Sequence, residues 1–104
     1  MTKRRVQFTS KALEHVRREK AWWLQNRDHP NVFADELERV LEILSTVPGI
    51  GTPYKPSPIG SVRRVYLRRA AVHVYYTFDR REVLIRAVWG ARLEHGPEIT
   101  SDPA

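Results

Sequence analysis

The chain reads as a single α+β domain of element order β-α-α-β-β-β, with a helix hairpin packed on one face of a mainly antiparallel sheet. Three observations predict it. At 104 residues there is material for one hydrophobic core and not for two. Two successive stretches between residues 11 and 44 repeat apolar residues at helical spacing. Beyond a segment crowded with proline and glycine, three runs alternate apolar and polar residues, and the short connections between them favour antiparallel neighbours. The domain is expected to span 1–97, with 98–104 a mobile C-terminal tail.

Arg4-Arg5-Val6-Gln7-Phe8 places Val6 and Phe8 on one side, as a short half-buried strand does. Thr9 or Ser10 then caps a first helix over 11–27, whose stripe is Leu13, Val16, Trp23 and Leu24 with the aliphatic stem of Lys20 alongside. Trp22 lies about 100° round the helix from Trp23 and reads as a second contact. Asp28 or His29 before Pro30 marks the start of the next helix, because proline at the first helical position gives up an N–H that would be unpaired anyway. Phe33, Leu37, Val40, Leu41 and Leu44 form its apolar stripe, opposite Asp35, Glu38 and Glu42.

Pro48, Gly49, Gly51, Pro53, Pro56, Pro58 and Gly60 leave no expectation of a regular element, so 48–60 reads as an irregular loop around Tyr54 and Lys55. Three strands follow, over 62–69, 72–78 and 83–89. Strict alternation turns Val65, Leu67, Val72, Val74, Tyr76, Phe78, Val83, Ile85, Ala87 and Trp89 to one face, and sends Leu84, Arg86 and Val88 to the other.

The formal net charge of +6 conceals an alternation of sign along the chain. Residues 1–27 carry eight basic and two acidic side chains, 28–54 one and five, 55–92 nine and two, and 93–104 none and three. Such a basic surface suits phosphate backbones or an acidic protein partner, or it simply solvates the domain. The absence of cysteine excludes a disulfide framework and thiolate zinc ligands. No apolar run approaches the ~18 residues of a membrane span, and Met1-Thr2-Lys3-Arg4-Arg5 leads into no apolar signal segment. A cytoplasmic protein with no membrane partner is expected.

If the helices cover one face of the sheet, Arg64, Tyr66, Arg68, His73, Tyr75 and Arg86 gather on the other, cations interleaved with aromatics. Guanidinium groups hold phosphates, tyrosines stack on bases, and a histidine moves a proton near neutral pH. The same face can equally be a solvated one with cross-strand cation–π pairs. Arg92, just past the last strand, either joins Tyr54, Lys55 and Arg64 at a rim of the sheet or pairs with a helix carboxylate. His15, His29, His73 and His95 fall on four different elements, so no metal site is expected. No Gly-x-Ser-x-Gly turn and no phosphate-binding glycine loop is present, and no cofactor is expected.

Several pieces in order resemble the RelE/ParE superfamily, the toxins of type II toxin–antitoxin systems. They are Val6-Gln7-Phe8-Thr9-Ser10-Lys11-Ala12, Leu44-Ser45-Thr46-Val47-Pro48-Gly49-Ile50-Gly51, Val62-Arg63-Arg64-Val65, Val74-Tyr75-Tyr76, and Val83-Leu84-Ile85-Arg86-Ala87-Val88-Trp89 running into Gly90-Ala91-Arg92. The resemblance spans roughly residues 4–97. It implies a growth-inhibitory protein neutralised by a cognate antitoxin whose C-terminal, acidic segment wraps it. RelE-like members cut mRNA in the ribosome, whereas ParE-like members poison DNA gyrase without being enzymes. For the first branch, the resemblance implies catalytic roles for Arg64, His73 and Arg92, with Arg68 and Tyr75 adjacent. Glu94-His95-Gly96-Pro97 holds no tyrosine of the kind some nucleases use, so His73 or His95 would stand in. For either target, Tyr54, Lys55, Arg64, Tyr66, Arg68, Tyr75, Arg86 and Arg92 are the candidate binding residues. The long helices and the Pro48-Gly49-Ile50-Gly51-Thr52-Pro53 exit look more like the ParE branch. A non-toxic nucleic-acid-binding module is the competing expectation.

Overall fold

The computed structural model describes residues 3–26, 28–93 and 95–100. Strand β1 (Arg5–Phe8) leads into helices α1 (Ser10–Asn26) and α2 (Val32–Thr46), a 3₁₀ turn at Pro48–Ile50, and strands β2 (Thr52–Pro53), β3 (Arg63–Leu67), β4 (Val72–Phe78) and β5 (Glu82–Gly90). The five strands form one sheet in the order β1-β5-β4-β3-β2. β1 runs parallel to β5, and the other pairs are antiparallel. The helix hairpin carries the chain across one face of the sheet, which is the α+β arrangement the sequence predicts. Among the described residues no helix is long and apolar enough to cross a membrane.

The core lies between the hairpin and the sheet. Phe33, Leu37 and Leu44 of α2 meet Leu67, Val72, Val74, Tyr76, Val83, Ile85 and Val88, with Val6 and Phe8 of β1 packed against them. Full burial of each large apolar side chain contributes on the order of 1.5–3 kcal/mol, which makes this layer the main source of stability. The α2 stripe is the predicted one, with Val40 and Leu41 half-buried and Asp35, Glu38 and Glu42 exposed.

Other elements depart from expectation. α1 starts one residue early because the Thr9 hydroxyl accepts a 3.1 Å hydrogen bond from the Ala12 N–H, satisfying an otherwise unpaired donor of the first turn. Its buried residues are Ala12, Glu19 and Trp23, while Leu13 and Leu24, expected inside, are 42% and 70% exposed. α2 starts at Val32 behind Asn31, and Pro30 stands in the preceding turn instead of the first helical position. The 48–60 segment is not wholly irregular. Its 3₁₀ turn is clamped by the buried Tyr76 hydroxyl, which donates to the Pro48 carbonyl at 2.6 Å and accepts from the Gly51 N–H at 2.9 Å. Arg63 donates to the Gly51 carbonyl at 2.6 Å, and β2 follows as a short edge strand ending in Pro53, which blunts that edge.

The largest departure is in β5. Tyr76 pairs with Ile85 and Tyr75 with Ala87, so Arg86 is an extra residue bulged out of the ladder. Alternation therefore restarts one residue later. Val88 turns into the core at 1% exposure, and Ala87 and Trp89 move to the face away from the helices.

Candidate interaction face

On the face away from the helices, β3 presents Arg64 and Tyr66, β4 presents His73 and Tyr75, and β5 presents Ala87 and Trp89, as their registers require. Arg64 stands opposite Tyr75, Tyr66 opposite His73, and His73 opposite Trp89. Tyr54, from the loop after β2, leans in at 4.8 Å between ring centroids to meet the edge of Tyr75. The Arg64 guanidinium lies 5.2 Å from the Tyr54 ring and donates to the Tyr75 hydroxyl at 3.3 Å. His73 sits 4.7 Å from Tyr66 and 6.1 Å from Tyr75. Five of the predicted residues thus form one continuous patch: Tyr54, Arg64, Tyr66 and Tyr75 around the His73 imidazole.

Burial, and secondarily the Arg64 charge, push the His73 pKa below its usual 6.5. Its Nδ1 is buried and has no hydrogen-bond partner among the described residues. Burial raises the Tyr75 pKa, against the opposing hydrogen bond from Arg64. The patch therefore offers one guanidinium, a neutral imidazole and the phenols of Tyr54 and Tyr66, with Tyr75 buried beneath them at 2% exposure, a surface that can hold an anionic group and stack on planar ones.

The remaining predicted residues lie elsewhere. Arg92 does not reach this patch. Past β5 the Ala91 N–H bonds the Ala71 carbonyl at 2.8 Å, and the chain turns back over α1. There Arg92 donates to Glu19 at 2.6 and 3.3 Å and lies 4.1 Å over the Trp22 ring. Pairing with a helix carboxylate, one of its two expected placements, is the one realised. Arg86 is turned to the C-terminal segment, donating to the Thr77 hydroxyl at 3.0 Å and the Thr100 carbonyl at 2.9 Å. Arg68 falls in the β3–β4 turn and not on a strand, and Lys55 in an exposed turn. The expected boundary at 97 falls within a segment that lies on the sheet: Ile99 is 2% exposed, against Val62, Tyr75 and Ala87. Residues 101–104 and Glu94 lie outside the described residues.

Two features of α1 were not read from the sequence. Glu19, the lone acid at helical spacing between Val16 and Trp23 on a basic helix, is buried to 2% exposure; its place in that stripe was the available signal. His15 does structural work. β1 ends at Phe8, leaving the β5 edge without a strand partner beyond Ile85. Thr9 covers the Ile85 carbonyl with its N–H and the Arg86 carbonyl with its hydroxyl, and the Val88 N–H donates to His15 Nδ1 at 3.1 Å. The far side of the ring meets Trp89 edge-on at 5.1 Å.

Burial first and the Arg18 charge second, with Glu14 opposing and Lys11 adding, lower the His15 pKa from 6.5 to about 4. The unfolded chain takes up this proton near pH 6.5 and the folded one only near 4, so stability present above that window is lost as the pH falls through it. With allowance for the ring's partial exposure, the loss is expected to be about 1–2 kcal/mol. His15→Gln keeps an acceptor for Val88 without titrating, and is expected to flatten this part of the profile in urea unfolding across a pH series. An unchanged profile would assign the acid lability to other groups.

The four histidines occupy α1, the interhelical loop, β4 and the C-terminal segment, and no metal-binding group of three or more His, Cys, Asp or Glu occurs among the described residues. No family model matches the chain, and no curated protein matches it significantly. Solved structures do. A chain from the chromosomal ParDE TA system of P. aeruginosa superposes with a TM-score of 0.67, covering 84% of this chain and 95% of that one at 16% identity. At that identity the likeness is one of fold, and the fold is the one the RelE/ParE resemblance implies.

Proposed function

We propose that this chain is the toxin of a type II toxin–antitoxin pair, neutralised by a cognate antitoxin and acting as the ParE-like branch does, on DNA gyrase. The reading is carried by the fold it shares with a chain of a ParDE system over most of both lengths. The choice of branch is supported by Arg92. An RNA-cutting site would need Arg64, His73 and Arg92 around one phosphate, whereas Arg92 is engaged by Glu19 and Trp22 on the helix side and the other two lie on the open face. A poison that works by binding needs no such convergence. The basic surface suits an acidic antitoxin, whose grip on buried apolar surface would survive high salt in part.

Expression without a partner is expected to arrest bacterial growth, and the purified protein to inhibit gyrase supercoiling while leaving mRNA 5′ ends unchanged in a translating extract. His73→Ala should keep both effects, since no proton has to move. Cuts in mRNA that appear only with ribosomes would overturn the gyrase target in favour of the RelE-like activity, for which Arg64 and His73 sharing a face is the supporting observation. Normal growth while folded protein accumulates would overturn the toxin reading itself.

A further inference from the structure

The helix hairpin carries on its outer side two stripes that the fold does not use. Leu13, Arg17, Lys20 and Leu24 recur along α1 at i, i+4, i+7 and i+11, which is one flank of a helix. All four are exposed, Leu13 by 42% and Leu24 by 70%. The facing stripe of α2 is acidic. Asp35, Glu38 and Glu42 are exposed and, with Arg39 and Ile43, line a shallow depression along that helix. Among the described residues no ion pair joins α1 to α2: Glu42 pairs with Lys3, Lys11 with Glu98 and Glu19 with Arg92. Glu14 and Arg39 run against these signs, but each is one residue beyond a stripe position and so stands about 100° round its helix from it. Glu14 lies with Lys11, His15 and Trp89 around the cleft beside β5. The two stripes also match in height. Lys20 is six residues from the end of α1 at Asn26, and Glu38 six from the start of α2 at Val32; Arg17 and Glu42 are nine and ten from the same points.

We infer that the outer side of the hairpin is a self-association surface whose occupant is a second copy of this chain, docked about a two-fold axis parallel to the helices. That operator lays α1 of each copy over α2 of the other, with neighbouring helices antiparallel as in an up-and-down four-helix bundle. A two-fold rotation has no translation, so residues keep their height: Lys20 and Arg17 of each copy come over Glu38 and Glu42 of the other. Leu13 and Leu24, which carry helical spacing and are left in water by the monomer, come to the seam. A two-fold axis at right angles to the helices would lay basic stripe on basic and acidic on acidic, so charge selects the operator. The outer face of the hairpin measures about 25 Å by about 20 Å, roughly 500 Å². That is less than the ~800 Å² a side of a standard interface, so the pairing is weak and reversible. It is independent of the toxin reading, and its test reads mass and not growth.

Sedimentation velocity of the full-length protein over a concentration series is expected to show a monomer–dimer equilibrium that weakens as salt is raised, since its charge pairs lie at a solvated surface. Two charge-reversed proteins locate the interface. Arg17→Glu with Lys20→Glu makes both stripes acidic, and Glu38→Lys with Glu42→Lys makes both basic. The dissociation constant of each is expected to rise at least about tenfold, because like charges then meet at both contacts. Mixed in equal amounts, the two proteins should form a heterodimer of about wild-type affinity, each contact again joining opposite signs. Wild-type protein that stays monomeric up to about 1 mM, reversed proteins that dimerise as wild type does, or a mixture that stays monomeric would each overturn the inference. Circular dichroism checks that the reversed proteins fold. Should either fail, Leu24→Gln, which leaves the charges alone, is expected to weaken the wild-type dimer about tenfold, and an unchanged dissociation constant would overturn the inference in its place.

Discussion

Arg92→Ala is expected to destabilise the fold by about 3 kcal/mol, a substantial share of the ~5–15 kcal/mol margin that domains possess. Glu19 is 2% exposed, and Arg92 is its ion-pair partner across the helix–sheet boundary. Removing the cation strands a carboxylate in an apolar site, where losing one partner of a buried pair costs about 3–5 kcal/mol. The Arg92 side chain is 31% exposed, so water reaches the deserted carboxylate and the lower end applies. Glu19→Ala should cost less, because the freed guanidinium, which already lies over the Trp22 ring, can turn to water. The double replacement Glu19→Leu with Arg92→Met should recover most of the loss, an apolar pair of similar volume being often as stable as a buried ion pair. Urea unfolding midpoints at constant slope measure all three; a wild-type midpoint for Arg92→Ala would mean that the pair contributes nothing. Growth assays of Arg92→Ala are consequently to be compared at equal amounts of folded protein.

Tyr76→Phe is expected to lose about 2–3 kcal/mol with little change in shape. The side chain is 0% exposed, and its hydroxyl alone joins the Pro48 carbonyl to the Gly51 N–H. Phenylalanine removes the bonding partner of both groups at a buried site. Gly51→Ala attacks the same clamp from the other side. The backbone there is extended, so the constraint is proximity: a Cβ would stand 2.5 Å from the Tyr76 hydroxyl and 2.9 Å from the Arg64 carbonyl oxygen. Overpacking of this kind costs about 1–3 kcal/mol. The two substitutions should be less than additive, because removing the hydroxyl removes the nearer clash and leaves that with Arg64. Strict additivity in thermal or urea unfolding would show that the clamp and the close approach are independent. Since Arg64 follows the residue that also bonds the turn, loosening the clamp is expected to disorder the Arg64–Tyr54–Tyr75 patch before the helices melt.

The residues that were legible one by one are those whose neighbours in sequence are also their neighbours in space. Phe33, Leu37 and Leu44 declare one face of α2, and Arg64, Tyr66, His73 and Tyr75 declare one face of β3 and β4, because 3.6 and 2.0 residue periods are local geometry. The same rule failed in α1, where Leu13 and Leu24 satisfy the period yet are exposed. The stripe of α1 that meets the sheet includes a charged residue, Glu19, which reads as surface until its partner Arg92, far along the chain, is known. A proline- and glycine-rich segment hid the 3₁₀ turn because its stabilising bonds come from Tyr76 on another strand.

The amino-acid sequence alone determined the order of the long elements, the short β2 aside, the inner face of α2 and of the two middle strands, and the gathering of cations with aromatics on the opposite face. Only the tertiary structure decided that a bulge at Arg86 reverses the faces after it, that Arg92 goes to Glu19 and not to Arg64, and that Ile99 occupies the open face. The division has one cause. Periodicity records how a side chain is oriented relative to its own backbone, whereas pairing register and the choice of a charge's partner depend on free-energy differences between contacts made at long range, which no local window contains.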